Sequence, residues 1–150
     1  MYFDDCVDAV RHIPCAEVVS AFDCWEQQAL ARVAQERLVE AKAQEEKDWP
    51  YSLEDETQRP PFLPAHARLD VIEQNQNPIK VLTSGVEREA AEPFYTSGKW
   101  RFAERIPWWN DYEHPIPVVF GHYWRRVHEV DRSTVGKSDP DLFAGIPPFA

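Results

Sequence analysis

The distribution of proline most constrains what this chain can fold into. Thirteen of its 150 residues are proline, and those at positions 50, 60, 61 and 64 fall within one short stretch. Proline lacks a backbone donor and has a fixed φ, so neither a helix interior nor a central strand tolerates such a stretch. The sequence therefore predicts a long surface loop over residues 48–64.

The segment before this loop has helical periodicity. The first dozen residues predict a short helix that Pro14 ends, and Ala16–Ala21 predicts a brief strand. Asp23, with Glu26 three residues later, favours a helix start, because both side chains can satisfy free backbone amides there. The helix is predicted to run from Trp25 to about Lys47. One face has a spacing close to 3.6 residues and is expected to pack inward: Leu30, Val33, Ala34, Leu38 and Ala41.

The segment after the loop predicts a second short helix and three strands. The helix is expected over about Ala65–Asn75, with Leu69 and Ile72 inward and Asn77-Pro78 ending it. The predicted strands are Ile79–Thr83, Lys99–Glu104 with Trp100 and Phe102 inward, and a buried Ile116–Phe120. From residue 133 onward the glycine and proline content predicts a loop-like tail.

Composition places the chain among folded domains. Hydrophobic residues make up 43% of the chain and aromatic residues 13%, which argues against disorder throughout. No apolar run approaches the roughly 20 residues that span a bilayer, and the acidic N-terminus lacks the basic region of a signal peptide. A soluble, cytoplasmic protein with no membrane partner is therefore expected. Cys6, Cys15 and Cys24 have no metal-site spacing and are expected to be free thiols.

The net charge restricts the partners that this chain can bind. The formal charge is −10, with 7 basic and 16 acidic residues in positions 1–75 against 9 and 10 in positions 76–150. Polyanions are held mainly by Lys and Arg, so nucleic acid is not expected as a main partner. A small anionic ligand in a local basic pocket of the second half is compatible with this balance.

The strongest local signal for chemistry lies around His122. The predicted strand 116–120 delivers Gly121 and then His122 at its carboxyl end, where α/β sheets tend to place ligands. An imidazole on a rigid element can ligate a metal, although a single strand-end histidine is more often a hydrogen-bonded structural residue. Arg125 and Arg126 follow and could hold a phosphate, or could instead form surface ion pairs.

Three segments together resemble a known enzyme family. Pro78–Glu87, Pro93–Trp109 and Pro117–Arg125 are similar to the C-terminal region of bacterial calcineurin-like metallophosphoesterases, a group related to symmetrical diadenosine tetraphosphatases and serine/threonine protein phosphatases. The resemblance implies an α/β fold, here part of a four-layer α/β/β/α sandwich. It makes residues 1–150 a single C-terminal portion of such a domain. It also implies that His122 ligates a metal and that Trp100, Trp108 and Trp109 pack beside the site.

The resemblance further implies hydrolysis of a phosphate ester or anhydride. Two divalent ions (Mn, Fe or Zn) would share a bridging hydroxide that attacks phosphorus, and the substrate would be a phosphorylated small molecule or a phosphoprotein. No catalytic residue is assigned within this chain.

The chain departs from that family at several positions. The Asp-x-His, Gly-Asp-x-x-Asp-Arg-Gly and Gly-Asn-His motifs do not occur, and Ser20 stands where the resemblance implies a further histidine ligand. Two hypotheses follow. In the first, the chain is a phosphoesterase fragment that is inactive alone, of marginal stability, and prone to self-association or completion by another chain. In the second, it is a catalytically dead acidic interaction domain that uses its Trp and Tyr cluster as a contact surface.

Overall fold

A computed structural model describes residues 3–118 of this chain. The helices are α1 (Phe3–Val10), α2 (Val18–Gln35), α3 (Leu38–Asp48), α4 (Pro64–Asn75) and α5 (Pro78–Ser84). They precede two strands, β1 (Glu87–Thr96) and β2 (Lys99–Arg105), and short 3-10 turns lie at Cys15–Glu17 and Trp108–Asn110. This mixture of helices and a small sheet is compatible with the predicted α/β class. The predicted loop 48–64 is confirmed over residues 49–63, which contain neither helix nor strand.

The prediction of a strand at Ala16–Ala21 is wrong. These residues form the 3-10 turn and the first turn of α2, which begins at Val18 rather than near Trp25. The prediction of one continuous helix is also wrong, because the segment is divided into α2 and α3 at Arg37. That residue has a left-handed conformation with φ 53°. The β-branched pair Val18-Val19 favoured a strand locally, but the helical period of the following residues determines the outcome.

The buried residues of α2 and α3 differ in part from those predicted for one continuous helix. Val33 and Leu38 are buried as predicted, whereas Leu30, Ala34 and Ala41 are exposed. Ala29 takes part in the core in their place, and it packs with Val33, Leu38 and Ile72. The turn at Arg37 changes the helix direction, so residues on either side no longer share one continuous face.

The predicted helix at Ala65–Asn75 is confirmed as α4, with Ile72 buried and Leu69 packed against it. The prediction of a strand at Ile79–Thr83 is wrong, since this segment is α5. Asn77 accepts a hydrogen bond from the Ile79 amide (3.1 Å), and Pro78 occupies the first helical turn. These two residues are strong helix-start signals, and they outweigh the strand preference of the branched side chains.

The predicted strand at Lys99–Glu104 is confirmed as β2. Trp100 and Phe102 are buried and the intervening Lys99 and Arg101 are exposed, as the alternation predicted. β1 and β2 form an antiparallel pair joined at Ser97 and Gly98, both of which have positive φ. A register shift occurs where Glu89 pairs with Ala103 and Phe94 with Arg101, so β1 bulges between its two paired ends.

Three buried clusters hold these elements together. The first joins α1 to α5 and the Trp108 region, the second joins α2, α3 and α4, and the third places Leu63 and Ala67 against Trp100 and Phe102. Phe3 and Trp108 stack with ring centroids 3.5 Å apart. Trp100 and Trp108 are therefore core residues, as predicted.

The remaining sequence predictions fall partly or wholly outside residues 3–118. Ile116–Val118 are not in a strand and Ile116 is 38% exposed, so the predicted buried strand is wrong for that part. Residues 119–120, His122, Arg125, Arg126 and the tail from residue 133 lie outside the described residues. Within the described range, no helix has both the length and the apolar character needed to cross a membrane.

Candidate docking surface

Helix α2 has one side packed in the core and one side exposed. Its inner side carries the buried residues Ala29 and Val33, with Phe22 and Trp25 partly buried beside them. Its outer side carries five small or uncharged residues, all exposed, which we call the α2 seam: Ser20, Cys24, Gln27, Ala31 and Ala34. Polar or charged residues normally occupy the solvent side of a helix, so an uncharged outer side on so acidic a chain marks a candidate interaction surface.

Large apolar side chains border this region. Val19 is 71% exposed and Leu30 is 56% exposed, both on α2, and Val39 at the start of α3 is 61% exposed. The helix has two carboxylates, Asp23 and Glu26, and Glu26 is turned toward Lys80 and Asn77 on the inner side. The outer side of α2 therefore has two exposed aliphatic side chains beside a seam that carries no charge.

A polar network fixes the middle of α2 against the rest of the fold. The fully buried Asn77 donates its amide to Glu26 Oε1 (2.8 Å) and to the Phe22 carbonyl (3.3 Å). Lys80 Nζ donates to Glu26 Oε2 at 2.6 Å. Although partial burial opposes ionisation of Glu26, the hydrogen bonds from Lys80 and Asn77 lower its pKa below the usual value. Both carboxylate oxygens of Glu26 accept a hydrogen bond, one from Asn77 and one from Lys80. The network therefore holds α2 in one position.

A second network fixes the C-terminal end of α2. Arg68 of α4 donates to both carboxylate oxygens of Glu36, at 2.8 and 3.0 Å, and Arg32 Nε donates to Oε1 at 3.0 Å. Hydrogen bonds from Arg68 and then Arg32 lower the pKa of Glu36 to about 2. A bidentate arginine–carboxylate contact is directional. This network therefore sets the angle between α2 and α4.

An open groove runs beside the seam. It has a volume of about 500 Å³ and is lined by Gln28, Ala31, Arg32, Gln35, Glu36 and Gln76. Arg32 Nη1 donates to Gln76 Oε1 across the groove at 3.2 Å. The docking surface therefore has a concave, amide-rich margin on one side and the aliphatic residues Val19 and Leu30 on the other.

Only some of the site residues predicted from the sequence lie within the described range. Ser20 lies exposed on α2 rather than at a strand end, so the predicted correspondence with a family ligand position is wrong. His122, Arg125 and Arg126 fall outside residues 3–118. Over that range, no three His, Cys, Asp or Glu side chains form a group that could hold a metal ion.

The three cysteines are free, as predicted. Cys6 is fully buried, and burial raises the pKa of its thiol to about 12, so it stays protonated and unreactive. Cys15 and Cys24 are exposed.

Sequence reasoning missed a pair of half-buried carboxyl groups between α4 and the strands. Burial raises the pKa of Asp70 and of Glu87, while positive charges at Arg101 and Arg105 oppose that rise. The two groups lie on α4 and β1 and are 17 positions apart. No motif links them, so only the packing of α4 on the hairpin could have revealed them.

Within residues 3–118, the aromatic cluster around Trp108 lies mostly in the interior. Trp108 is 5% exposed and stacks on Phe3, and Tyr112 packs edge-on against both rings. Most of this cluster is therefore used in internal packing.

The chain matches no protein-family model, no curated protein and no solved structure.

Proposed function

We propose that this chain acts as a protein-interaction domain whose docking surface is the outer side of α2. The single observation that supports the proposal is the contrast between the two sides of that helix. One side is held by two polar networks and a buried cluster, and the other presents an exposed, uncharged seam bordered by Leu30 and Val19. Binding surfaces on rigid elements keep their geometry and lose little entropy on association.

The composition of the seam fits helix docking better than recognition of an extended peptide. Small side chains at Ala31 and Ala34 allow a partner helix to approach closely, while Leu30 supplies an apolar anchor at the margin. The outer edge of β2 is less suitable for docking a strand, because the Trp100 amide is already bonded to the Leu53 carbonyl at 2.8 Å.

A photo-reactive residue placed in the seam tests this proposal. Benzoylphenylalanine at position 31 should form covalent adducts with a partner protein in the cell that expresses the chain. The same residue at position 43 is the matched control, because Ala43 is also an exposed alanine on a helix, but on α3. Adducts specific to position 31 are expected. Equal adduct formation at both positions, or none at either, would contradict a docking surface on α2.

We propose phosphoester hydrolysis only as a second, ancestral function. Its support is the resemblance of Pro78–Glu87, Pro93–Trp109 and Pro117–Arg125 to the metallophosphoesterases, with His122 as a metal ligand and Arg125 and Arg126 as phosphate contacts. The partial four-layer sandwich that this implies requires a larger sheet than the two strands of residues 3–118. A complementing chain is one source of such strands.

Metal content and turnover test the second proposal together. Plasma mass spectrometry of the purified chain, paired with p-nitrophenyl phosphate hydrolysis in added Mn, should be compared between wild type and His122→Ala. Stoichiometric metal and hydrolysis that both disappear in the variant are expected if the ancestral site is retained. Absence of both in the wild type would leave the interaction function alone.

A further inference from the structure

Two half-buried carboxyl groups lie where α4 packs on the β1–β2 hairpin. Asp70 is on α4, three positions after the buried Ala67, and Glu87 is the first residue of β1. Ala67 packs against Trp100 and Phe102 of β2. Because residues three positions apart share a side of a helix, Asp70 lies on the side of α4 that faces the strands.

Glu87 is held at this junction by the end of α4. Asn75, the last residue of that helix, donates its side-chain amide to the Glu87 carbonyl at 2.6 Å and accepts from the Glu87 amide at 3.0 Å. The Glu87 side chain is 19% exposed, and its Oε1 lies 3.5 Å from Arg105 Nε of β2. The carboxyl group of Glu87 is therefore fixed between the helix and the hairpin, with one cation beside it.

Asp70 has less support for a negative charge. Among residues 3–118, its carboxyl group accepts no hydrogen bond and forms no ion pair. An ionised carboxylate that is withdrawn from water without a donor is unfavourable, whereas the neutral acid loses much less. Burial accordingly raises the pKa of Asp70 above its ordinary value, and Arg101, Lys99 and Lys42 oppose the rise through space.

The positive charges that face the two carboxyl groups come from α3, α4 and β2, and they are Lys42, His66, Lys99, Arg101 and Arg105. Those nearest α3 already have partners there. Lys42 Nζ lies 4.0 Å from a Glu46 oxygen. His66 Nδ1 lies 2.7 Å from Glu45 Oε2. Neither side chain therefore has its charge reserved for Asp70.

The cations of β2 give incomplete compensation. Lys99 and Arg101 are exposed, so water and salt screen their attraction for a half-buried carboxylate. The two carboxyl groups also repel one another when both are ionised. Burial raises the pKa of Glu87 above its ordinary value, Arg105 opposes this, and the charge of Asp70 adds to the rise. The neutral forms of both groups therefore suit the junction best.

We infer that the packing of the β1–β2 hairpin on α4 depends on protons: the hairpin packs closely while Asp70 and Glu87 are neutral, and it loosens when they ionise. The stabilisation by the neutral carboxyl groups is complete below their ordinary pKa values of 3.8 and 4.5. It is lost as the pH rises through the raised pKa values. The carboxylate of Glu36 has the opposite sign, since its depressed pKa makes it stabilising at the higher pH.

The hairpin can loosen without opening the rest of the fold. Its apolar contact with α4 is the cluster of Leu63, Ala67, Trp100 and Phe102, which is distinct from the cluster that joins α2, α3 and α4. A separate cluster can open as a unit of its own. The amides of α2 therefore provide a reference within the same molecule.

Removal of one charge tests the pH dependence of stability. Asp70→Asn keeps the size of the side chain and has no carboxyl group to ionise. In urea denaturation of the full 150-residue chain, the variant should match wild type near pH 4. Near pH 7.5 its unfolding equilibrium constant should be several-fold smaller than that of wild type. Glu87→Gln should behave in the same way. Glu73→Gln is the matched control, because Glu73 is an exposed carboxylate on the same helix, and its difference from wild type should not change with pH.

Hydrogen exchange locates the effect. Protection factors, which correct for the intrinsic effect of pH on exchange, should fall several-fold in β2 relative to α2 between pH 5 and pH 7.5. The ratio should stay constant in the Asp70→Asn, Glu87→Gln double variant. Two outcomes overturn the inference. One is a stability difference between Asp70→Asn and wild type that is the same at both pH values, and the other is a loss of protection that is equal in β2 and α2.

Discussion

At the C-terminal end of α2, Glu36 and Arg37 are neighbours with different energetic roles. Glu36 has a pKa of about 2 because Arg68 and Arg32 donate to its carboxylate, so its charge stabilises the folded state. Arg37 has a strained backbone and no ion pair among residues 3–118, so its side chain contributes little to the isolated fold. Glu36 therefore holds the end of α2 in place, and Arg37 allows the chain to turn from α2 into α3.

The depressed pKa of Glu36 predicts a specific pH dependence. The contribution of this carboxylate is fully present above its unfolded pKa of 4.5 and is lost as the pH falls from there through about 2. Glu36→Gln should therefore lower the free energy of unfolding near neutral pH and match wild type in strong acid. Urea denaturation across this range measures the effect. Glu40→Gln is the control, and an equal pH-dependent loss in that variant would contradict the role of Glu36.

Substitution of Arg37 should reveal the cost of its backbone conformation. Arg37→Gly should raise the free energy of unfolding by about 1 kcal/mol, because glycine adopts positive φ without strain. Arg37→Ala keeps the strain and should give no such gain. Thermal denaturation measures both variants, and a destabilised Arg37→Gly would show that the side chain supports the fold itself.

The α2–α5 junction shows how one buried amide organises two helices. Asn77 caps α5 through its oxygen and bonds to Glu26 and to the Phe22 carbonyl of α2 through its nitrogen. The sequence predicted that Asn77-Pro78 ends the preceding helix, but the contact with α2 spans about fifty residues and has no local signal. The start of α5 was therefore predictable from Asn77-Pro78, while its attachment to α2 was not.

Truncation of this amide should destabilise the fold. Asn77→Ala removes the cap and the two hydrogen bonds that Asn77 donates to the Phe22 carbonyl and to Glu26 Oε1, at a cost of about 2 kcal/mol. Asn77→Ser keeps an oxygen that can cap α5 and should cost less. Chemical denaturation of both variants measures the difference. Equal losses would mean that the cap contributes little and that the contacts with α2 account for the effect.

The accuracy of sequence-based prediction also varies by element. β2 was predictable because burial of Trp100 and Phe102 between exposed Lys99 and Arg101 has a period of two. The break between α2 and α3 was not, because the left-handed position is held by an arginine rather than a glycine. Leu30 and Ala34, which the sequence had assigned to the core, lie exposed on α2, whose buried residues are Ala29 and Val33. The candidate surface could therefore be found only from the structure.

Across the whole molecule, the three buried clusters predict that regions open separately. The cluster of Phe3, Cys6, Val7 and Trp108 is distinct from the one that joins α2 to α4. Phe3 supports the first through its stacking on Trp108. Local opening of the chain termini would therefore leave the docking surface on α2 intact.

Removal of the Phe3 ring tests this independence. Phe3→Ala should cost about 3 kcal/mol, since it deletes a buried aromatic side chain. Hydrogen exchange should accelerate in α1 and around Trp108 while protection of α2 and α4 persists. Tyr51→Ala, which removes a ring that is 54% exposed, is the control and should change little. Loss of protection in all helices at once would contradict separate opening.

The central claim is that the outer side of α2 is covered when the chain functions, and the natural cysteines allow its most direct test. Cys24 lies in the seam and Cys15 lies outside it; both are exposed, and Cys6 is buried. Iodoacetamide labelling of the unmodified chain, in the cell that expresses it and after purification, compares the two exposed thiols in one molecule when it is read by peptide mass spectrometry. The account predicts that labelling of Cys24 relative to Cys15 is slower in the cell than in the purified chain. An equal ratio in the two states would contradict it.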